Sequence, residues 1–354
     1  MSNIKLNETP VRTARNFNIN NVKLENIEIP EDFEEFKNII VTNQNSKLKI
    51  DSNIDNVELK YGLGKFYTDQ VANKSNSKIN INVSDKCNND VEILFSLDEK
   101  NNNLLGNIRI TASENSEATV ILKYETTEGV SAYNNSIIKA TAGENAILNI
   151  IVLNMMNEMS NNFISIENEL AGNSKVNYYI IDFGGKNSIT NYYSNIAGEN
   201  ADNQLNTIYL GGDNQLFDMN YIAELYGEKS NINIEVQGAL NGNAKKHFKG
   251  TIDFKKGCKK ATGNENENCM LLSDEAKSLA LPMLLCSEED VEGNHSSSAG
   301  KIGEKELFYI MSRGFELKEA MKLVVRAKFN AILENIKSEN LKKQILEEID
   351  KKIN

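Results

Sequence analysis

Imidazole is almost missing from this chain. Its 354 residues include two histidines, His247 and His295, so chemistry that needs an imidazole must use one of them. Cysteine is scarce as well: Cys87, Cys258, Cys269 and Cys286 show no CxxC spacing. In a reducing compartment they are expected as thiols, most of them buried as small hydrophobes. Positive charge is in deficit, with a formal net charge of -11. A nucleic-acid protein would show a basic field, so that partner class is set aside. No apolar run approaches the ~20 residues that span a bilayer. The stretch Met1 to Pro10 lacks the apolar core of a secretory signal. The expectation is a cytoplasmic protein without a membrane partner.

Nucleotide-binding devices are missing too. The chain has neither a GxxxxGK[ST] loop nor a GxGxxG opening a helix. Ser296, Ser297 and Ser298 follow His295 directly, but no acid partner for a Ser-His-Asp site is identifiable. Carboxylates are abundant, yet none is paired in a way a sequence displays, so no glycosidase or lyase assignment follows.

What is present describes a folded chain. Hydrophobic residues make up 40% and charged residues 25%, a globular balance, and the length suffices for two or three domains around a large core. Residues 1–75 read as a mixed, partly helical region. Pro10-Val11-Arg12-Thr13 is extended, and Pro30 to Lys37, with its acids behind a proline, resembles a helix start.

From residue 76 the pattern becomes a series of strands. Ile79–Val83, Val91–Phe95, Ile108–Ile110, Thr119–Leu122, Ile147–Val152, Val176–Ile181 and Ile232–Val236 alternate with period 2 and favour β-branched and aromatic residues. Turn signals recur between them. Gly143, Gly172, Gly198, Gly227 and Gly257 stand 29, 26, 29 and 30 residues apart, and Glu114 extends the series backwards. A repeat of strands and tight turns near that length indicates a solenoid, in which each coil buries its apolar face on the next. Glycine or asparagine would supply the unusual backbone angles at the corners. A β-sandwich of hairpins would show two-residue N-G or D-G turns, and these are scarce, Leu240-Asn241-Gly242-Asn243 being the clearest. The fold class is therefore mainly β, a parallel β-helix over residues 76–300.

Helices follow over 301–354. One is expected from Glu304 to Ser312 and a longer one from Leu317 to Ile336. In the last, Leu341, Ile345, Ile349 and Ile353 step by four. Their simplest job is to cap the last coil; docking a partner is the functional alternative. His295 sits in what reads as a small polar loop, Gly293 to Ser298, where it would be a bland surface residue or a metal ligand completed from elsewhere. His247, in Lys245-Lys246-His247-Phe248-Lys249-Gly250, reads as a polar-face strand residue in a basic cluster.

Several segments in sequence order carry a resemblance. They are Leu271-Leu272-Ser273-Asp274-Glu275-Ala276, Asp290-Val291, His295, Leu307-Phe308-Tyr309 and Ser312-Arg313-Gly314. This order resembles the SufB/SufD family, scaffold components of the SUF iron–sulfur cluster assembly system. His247 to Gly250 is similar to the family's last solenoid strands. Pro10-Val11-Arg12-Thr13 looks like a SufD-type N-terminal P-x-R-T. Gly293 stands where the family's C-x-H loop carries a reactive cysteine, while His295 keeps the histidine. A glycine cannot hold iron or sulfide, so the chain reads as SufD-type.

The resemblance implies a right-handed β-helix and a non-enzymatic scaffold. It implies partners: a SufB-like paralogue, or a second copy of the chain, and a SufC-like ABC ATPase, to which the ATPase activity would belong. No cofactor would be held stably, although a transient iron–sulfur cluster would form at the partner interface with His295 nearby. Cys258 and Cys286 are weaker ligand candidates. Phe308, Tyr309, Arg313 and Gly314 would face SufC. The alternatives are a SufB-like homodimer working with SufC and, less favoured, a carbohydrate-active β-helix enzyme.

Overall fold

A computed structural model describes residues 5–13, 18–24, 27–43, 46–55 and 57–353. The N-terminal region holds β1 (Lys5–Leu6), β2 (Val22–Lys23), β3 (Ile39–Thr42), β4 (Leu48–Asp51) and helix α1 (Lys65–Lys74). The coils then run β5 (Ser77–Val83), β6 (Val91–Leu97), β7 (Asn103–Ala112), β8 (Glu117–Thr126), β9 (Tyr133–Ala142), β10 (Ile147–Met155), β11 (Asn161–Leu170) and β12 (Lys175–Asp182). They continue with β13 (Asn187–Ile196), β14 (Asp202–Gly211), β15 (Leu216–Leu225), β16 (Asn231–Leu240), β17 (Lys245–Phe254), β18 (Ala261–Leu271), β19 (Lys277–Cys286) and β20 (Val291–Lys301). Helices α2 (Glu304–Met311), α3 (Leu317–Leu333) and α4 (Glu339–Lys352) close the chain.

Odd-numbered strands from β5 to β19 form one sheet and even-numbered strands from β6 to β20 the other, each pairing in parallel with the strand two further on. Two strands per coil give an eight-coil solenoid. The expected β-helix is therefore the fold. The corners divide two tasks that the sequence reading had merged. Asn115, Asn145, Asn173 and Asn200 adopt the left-handed conformation, with φ between 53° and 59°, which asparagine tolerates better than most residues. The glycine before the asparagine serves packing. A Cβ on Gly198 would lie 2.1 Å from the Ala171 carbonyl carbon of the coil below.

The lumen between the sheets is filled by columns of residues in register. One runs Val91, Val120, Ile150, Tyr178, Leu205 and Ile234, all fully buried. Burial of each such side chain contributes about 1.5–3 kcal/mol. The outer face of the even sheet is apolar as well. Ile121, Ile151, Ile181, Ile208 and Ala239 are covered there by Val325, Phe329, Ile332, Leu341, Ile345 and Ile349 of α3 and α4. The C-terminal helices thus lie along the flank of the solenoid and do not cap its last coil, contrary to the simplest expectation. The flank needs them because its own alternate positions are hydrophobic. The outer face of the odd sheet is covered by the N-terminal region, where Leu63, Tyr67 and Val71 pack on Leu105, Tyr133, Phe163 and Ile189.

Pro30 to Lys37 forms no helix. Phe36 is instead buried against the Phe95 ring, centroids 6.3 Å apart; tertiary burial overrides the local helix-start chemistry. The first helix is α1, which the sequence reading missed. Among the described residues, no helix is long and apolar enough to cross a membrane.

Candidate functional site

The first coil is closed. β3 pairs antiparallel with β6, and β4 with β5, so both sheets end on a strand running the other way. Among the described residues the last coil has no such cover: β19 and β20 are the terminal strands of their sheets, and β20 is exposed along nearly all its length. An edge of unpaired N–H and C=O groups is a template for another strand.

His295 lies in the middle of β20, in register with Glu265 of β18. It is a strand residue, not a loop residue. Gly and Ser are poor strand formers, which is why Gly293 to Ser298 reads as a loop; the stacked partner strand β18 imposes the extended form. Two observations fix the direction of its side chain. Asn294, Ser296 and Ser298 bond Asn264, Asn266 and Asn268 in a ladder on the outer face. Ser297 Oγ donates to Glu267 Oε2 at 2.7 Å in the lumen. With period 2, His295 shares the face of Ser297 and turns into the mouth of the solenoid.

The columns change character there. The one through Ile150 and Ile234 continues as Glu265 and then His295. The next continues from Val236 to Glu267 and Ser297. Glu267 is neutralised by Lys246 Nζ at 2.6 Å, both side chains fully buried. Glu265 has no such partner. It is 3% exposed and its Oε1 makes no hydrogen bond. Burial, and secondarily the Glu267 carboxylate, push its pKa up to about 8, so at neutral pH it holds its proton. Its carboxyl occupies the space over Gly250, where a Cβ would come within 1.8 Å of Oε2.

The other expected positions disperse. Cys258 is buried in the apolar core; burial and the nearby Glu288 push its thiol up, which disfavours the thiolate a metal requires. Cys286 is exposed, and its Sγ donates to the Glu288 carbonyl at 2.9 Å. Cys269 is buried and Cys87 half-buried. A Cβ at Gly293 would point into the mouth, 3.0 Å from the Phe254 ring. His247 is on β17, with Nδ1 3.4 Å from Asp218 Oδ2. On α2, which buries none of its residues, Phe308 is 75% and Tyr309 59% exposed. Arg313 stacks on the Tyr309 ring at 5.1 Å and donates to its hydroxyl at 3.0 Å. Gly314, with φ of 97°, makes the turn into α3. Among the described residues, no three His, Cys, Asp or Glu side chains converge as a metal site.

The residues that sequence reading missed are Glu265, Glu267, Lys246 and Ser297. A signal for the acids exists: in Gly263-Asn264-Glu265-Asn266-Glu267-Asn268-Cys269 the glutamates hold the alternate positions that earlier coils give to Ile, Val and Leu. It becomes readable only with the register.

The solenoid stops on an open edge with polar groups gathered in its mouth, and among the described residues no closed ligand set forms there. Residues 95–328 match the SUF system FeS cluster assembly, SufBD core domain. The chain belongs to that family. It is similar to the iron-sulfur cluster assembly protein SufD of Bacillus subtilis, 23% identical over 265 residues, which cover 74% of this chain and 61% of that protein. SufD of Escherichia coli is 23% identical over 241 residues, covering 68% and 57%. A SufBD family iron-sulfur cluster assembly protein of Pyrococcus horikoshii is 27% identical over 256 residues, covering 70% and 55%. The matched region thus spans between 55% and 61% of the length of these relatives.

Proposed function

We propose that this chain is a SufD-type scaffold subunit in iron–sulfur cluster assembly, incomplete by itself and finished by a partner strand at its open end. The observation that carries the reading is His295, held on the unpaired edge of β20 and turned into a polar mouth. A SufB-like paralogue adding its own edge strands to β19 and β20 would place its ligands opposite that imidazole. An imidazole with a nearby carboxyl is a ligand type that accepts iron. The cluster is cargo in this reading, and the chain catalyses nothing alone.

The exposed face of α2 and the α2–α3 turn is the proposed seat of a SufC-like ATPase. Phe308, Tyr309 and the stacked Arg313 form an aromatic and cationic anchor of the kind that dominates interfaces. ATP-driven movement of that partner would act on the solenoid through α3, which is packed on its flank.

Co-expression with a SufB-like and a SufC-like protein tests both parts. His295→Ala should lower the cluster yield of the purified complex while recovery of both partners stays normal; an unchanged yield removes His295 from the site. Tyr309→Ala with Arg313→Glu should reduce SufC recovery at least tenfold and leave SufB bound. Full SufC recovery would move the docking surface elsewhere. If the chain binds itself in preference to the paralogue, the homodimeric arrangement replaces the heterodimer.

A further inference from the structure

One cavity on this acidic protein is lined, among the described residues, by basic side chains without a carboxylate. It measures about 860 Å³ and lies between the β1–β2 pair and the outer face of β15 and β17. Its basic lining is Lys5, Arg12, Lys23, Lys245 and His247; asparagine, valine and leucine complete it.

The placement of these groups costs free energy. Lys5 and Lys23 are directly opposite across β1 and β2, and like charges in that relation destabilise a strand pair. Lys245 and His247 are two apart on β17 and share its outward face. Among the described residues Lys5, Lys23 and Lys245 have no carboxylate partner, while Arg12 pairs with Glu8 at 3.0 Å. His247 backs onto a buried carboxylate. Its Nδ1 is 3.4 Å from the buried Asp218 carboxylate, which also takes Lys249 and Asn7, each at 2.6 Å. The Nε2 edge of the ring therefore faces away from that carboxylate. An exposed lysine in isolation is merely solvated; Lys5, Arg12 and Lys23 of the N-terminal segment brought against Lys245 of the solenoid, with repulsion left standing, leave a positive potential that an anion would relieve.

We propose that this cavity binds a small phosphate anion of two or more charges, as free diphosphate or as the diphosphate of a nucleotide. Ammonium groups are point charges that suit phosphate oxygens, and a monocarboxylate would neutralise one of them. The volume falls in the range of small-molecule sites and exceeds the needs of a lone orthophosphate. Because the lining comes from both the N-terminal segment and the solenoid, the ligand would pin one to the other.

Calorimetric titration of the intact chain with inorganic pyrophosphate, ADP and adenosine at about 0.15 M salt tests the proposal. Pyrophosphate should bind and raise the melting temperature; adenosine should not bind. ADP binding as pyrophosphate does would identify the diphosphate as the recognised group, and ADP failing would restrict the site to free diphosphate. Lys23→Glu and Lys245→Glu should each weaken pyrophosphate about tenfold, a loss of about 1.4 kcal/mol. Lys256→Glu, on a distant corner, should change nothing. His247→Gln, which reverses no charge, should also weaken it. No pyrophosphate binding, or undiminished binding in a folded Lys23→Glu/Lys245→Glu variant, overturns the proposal. So does ADP binding without pyrophosphate binding, since the affinity would then lie in the adenosine.

Discussion

The two ends of the solenoid solve the same edge problem in opposite ways. At the first coil, β3 and β4 run against the coil direction and cover both sheets, and Phe36 closes the lumen over Phe95. At the last coil no described strand pairs onto the outer edge of β19 or β20, and the lumen columns exchange Ile and Val for Glu265 and Glu267 on β18, then His295 and Ser297 on β20. A permanently open apolar lumen would be an aggregation site. Polar lumen residues let β20 face water, or a partner, while β19 leaves Leu279 exposed and Leu281, Leu284 and Leu285 half-buried. The difference between the ends is therefore a difference between a finished surface and one reserved for assembly.

The comparison breaks if the ends respond alike to mutation. The largest effects should lie at fully buried positions behind the mouth. Lys249→Met would strand the buried Asp218, which Lys249 holds at 2.6 Å. Burial raises the Asp218 carboxyl, and the Lys249 ammonium and His247 more than reverse that, leaving it below the usual range. Its stabilising contribution is thus present above the unfolded carboxylate pKa and lost as pH falls through the lower folded value. The variant should lose about 3–5 kcal/mol in urea unfolding at pH 7. Ile150→Ala, in the middle of a lumen column, should cost about 2–5 kcal/mol. Val291→Ala, half-buried at the open end, should cost less than about 1 kcal/mol. Equal costs for the last two would mean that the open end is packed like the middle.

The mouth should show the reverse sign. Glu265 has a folded pKa of about 8, above its unfolded value. Its contribution is fully present below the unfolded pKa and declines as pH rises towards 8, by at most about 1.4 kcal/mol per pH unit. Glu265→Gln keeps the shape and discards the titration. Its stability relative to the parent should rise with pH between about 5 and 8, read from urea midpoints across that range. A parallel pair of pH profiles would show that Glu265 is solvated or paired.

Legibility in the sequence followed the physics of each part. Ile147–Val152 and Val176–Ile181 were readable because they lie within β10 and β12, apolar on both faces between lumen and helices. β9 and β13, with Asn135 and Asn191 buried under α1 and the N-terminal segment and Asn134 and Ser188 buried in the lumen, carry no such signal, since their polar atoms are satisfied only by tertiary partners. The corner spacing revealed the coil length, and the helical stripes of α3 and α4 were plain. Where those helices dock was not, because a stripe says that a face is covered and not by what. His295 was visible as a residue but mistaken in conformation, its extended form being imposed by β18 through long-range pairing.

The smallest expected effect on the fold sharpens the comparison most. His295 is exposed at the mouth, and its ring contributes no hydrogen bond that holds the coil among those made by the described residues. His295→Ala should therefore shift the urea midpoint of the isolated chain by no more than about 0.5 kcal/mol. A core residue of the same volume would lose several times that on truncation. A near-silent unfolding curve together with a lowered cluster yield in the complex would assign the imidazole to assembly. A loss of about 2 kcal/mol or more in the isolated chain would make His295 a structural plug of the last coil, and the two ends would then differ in chemistry but not in purpose.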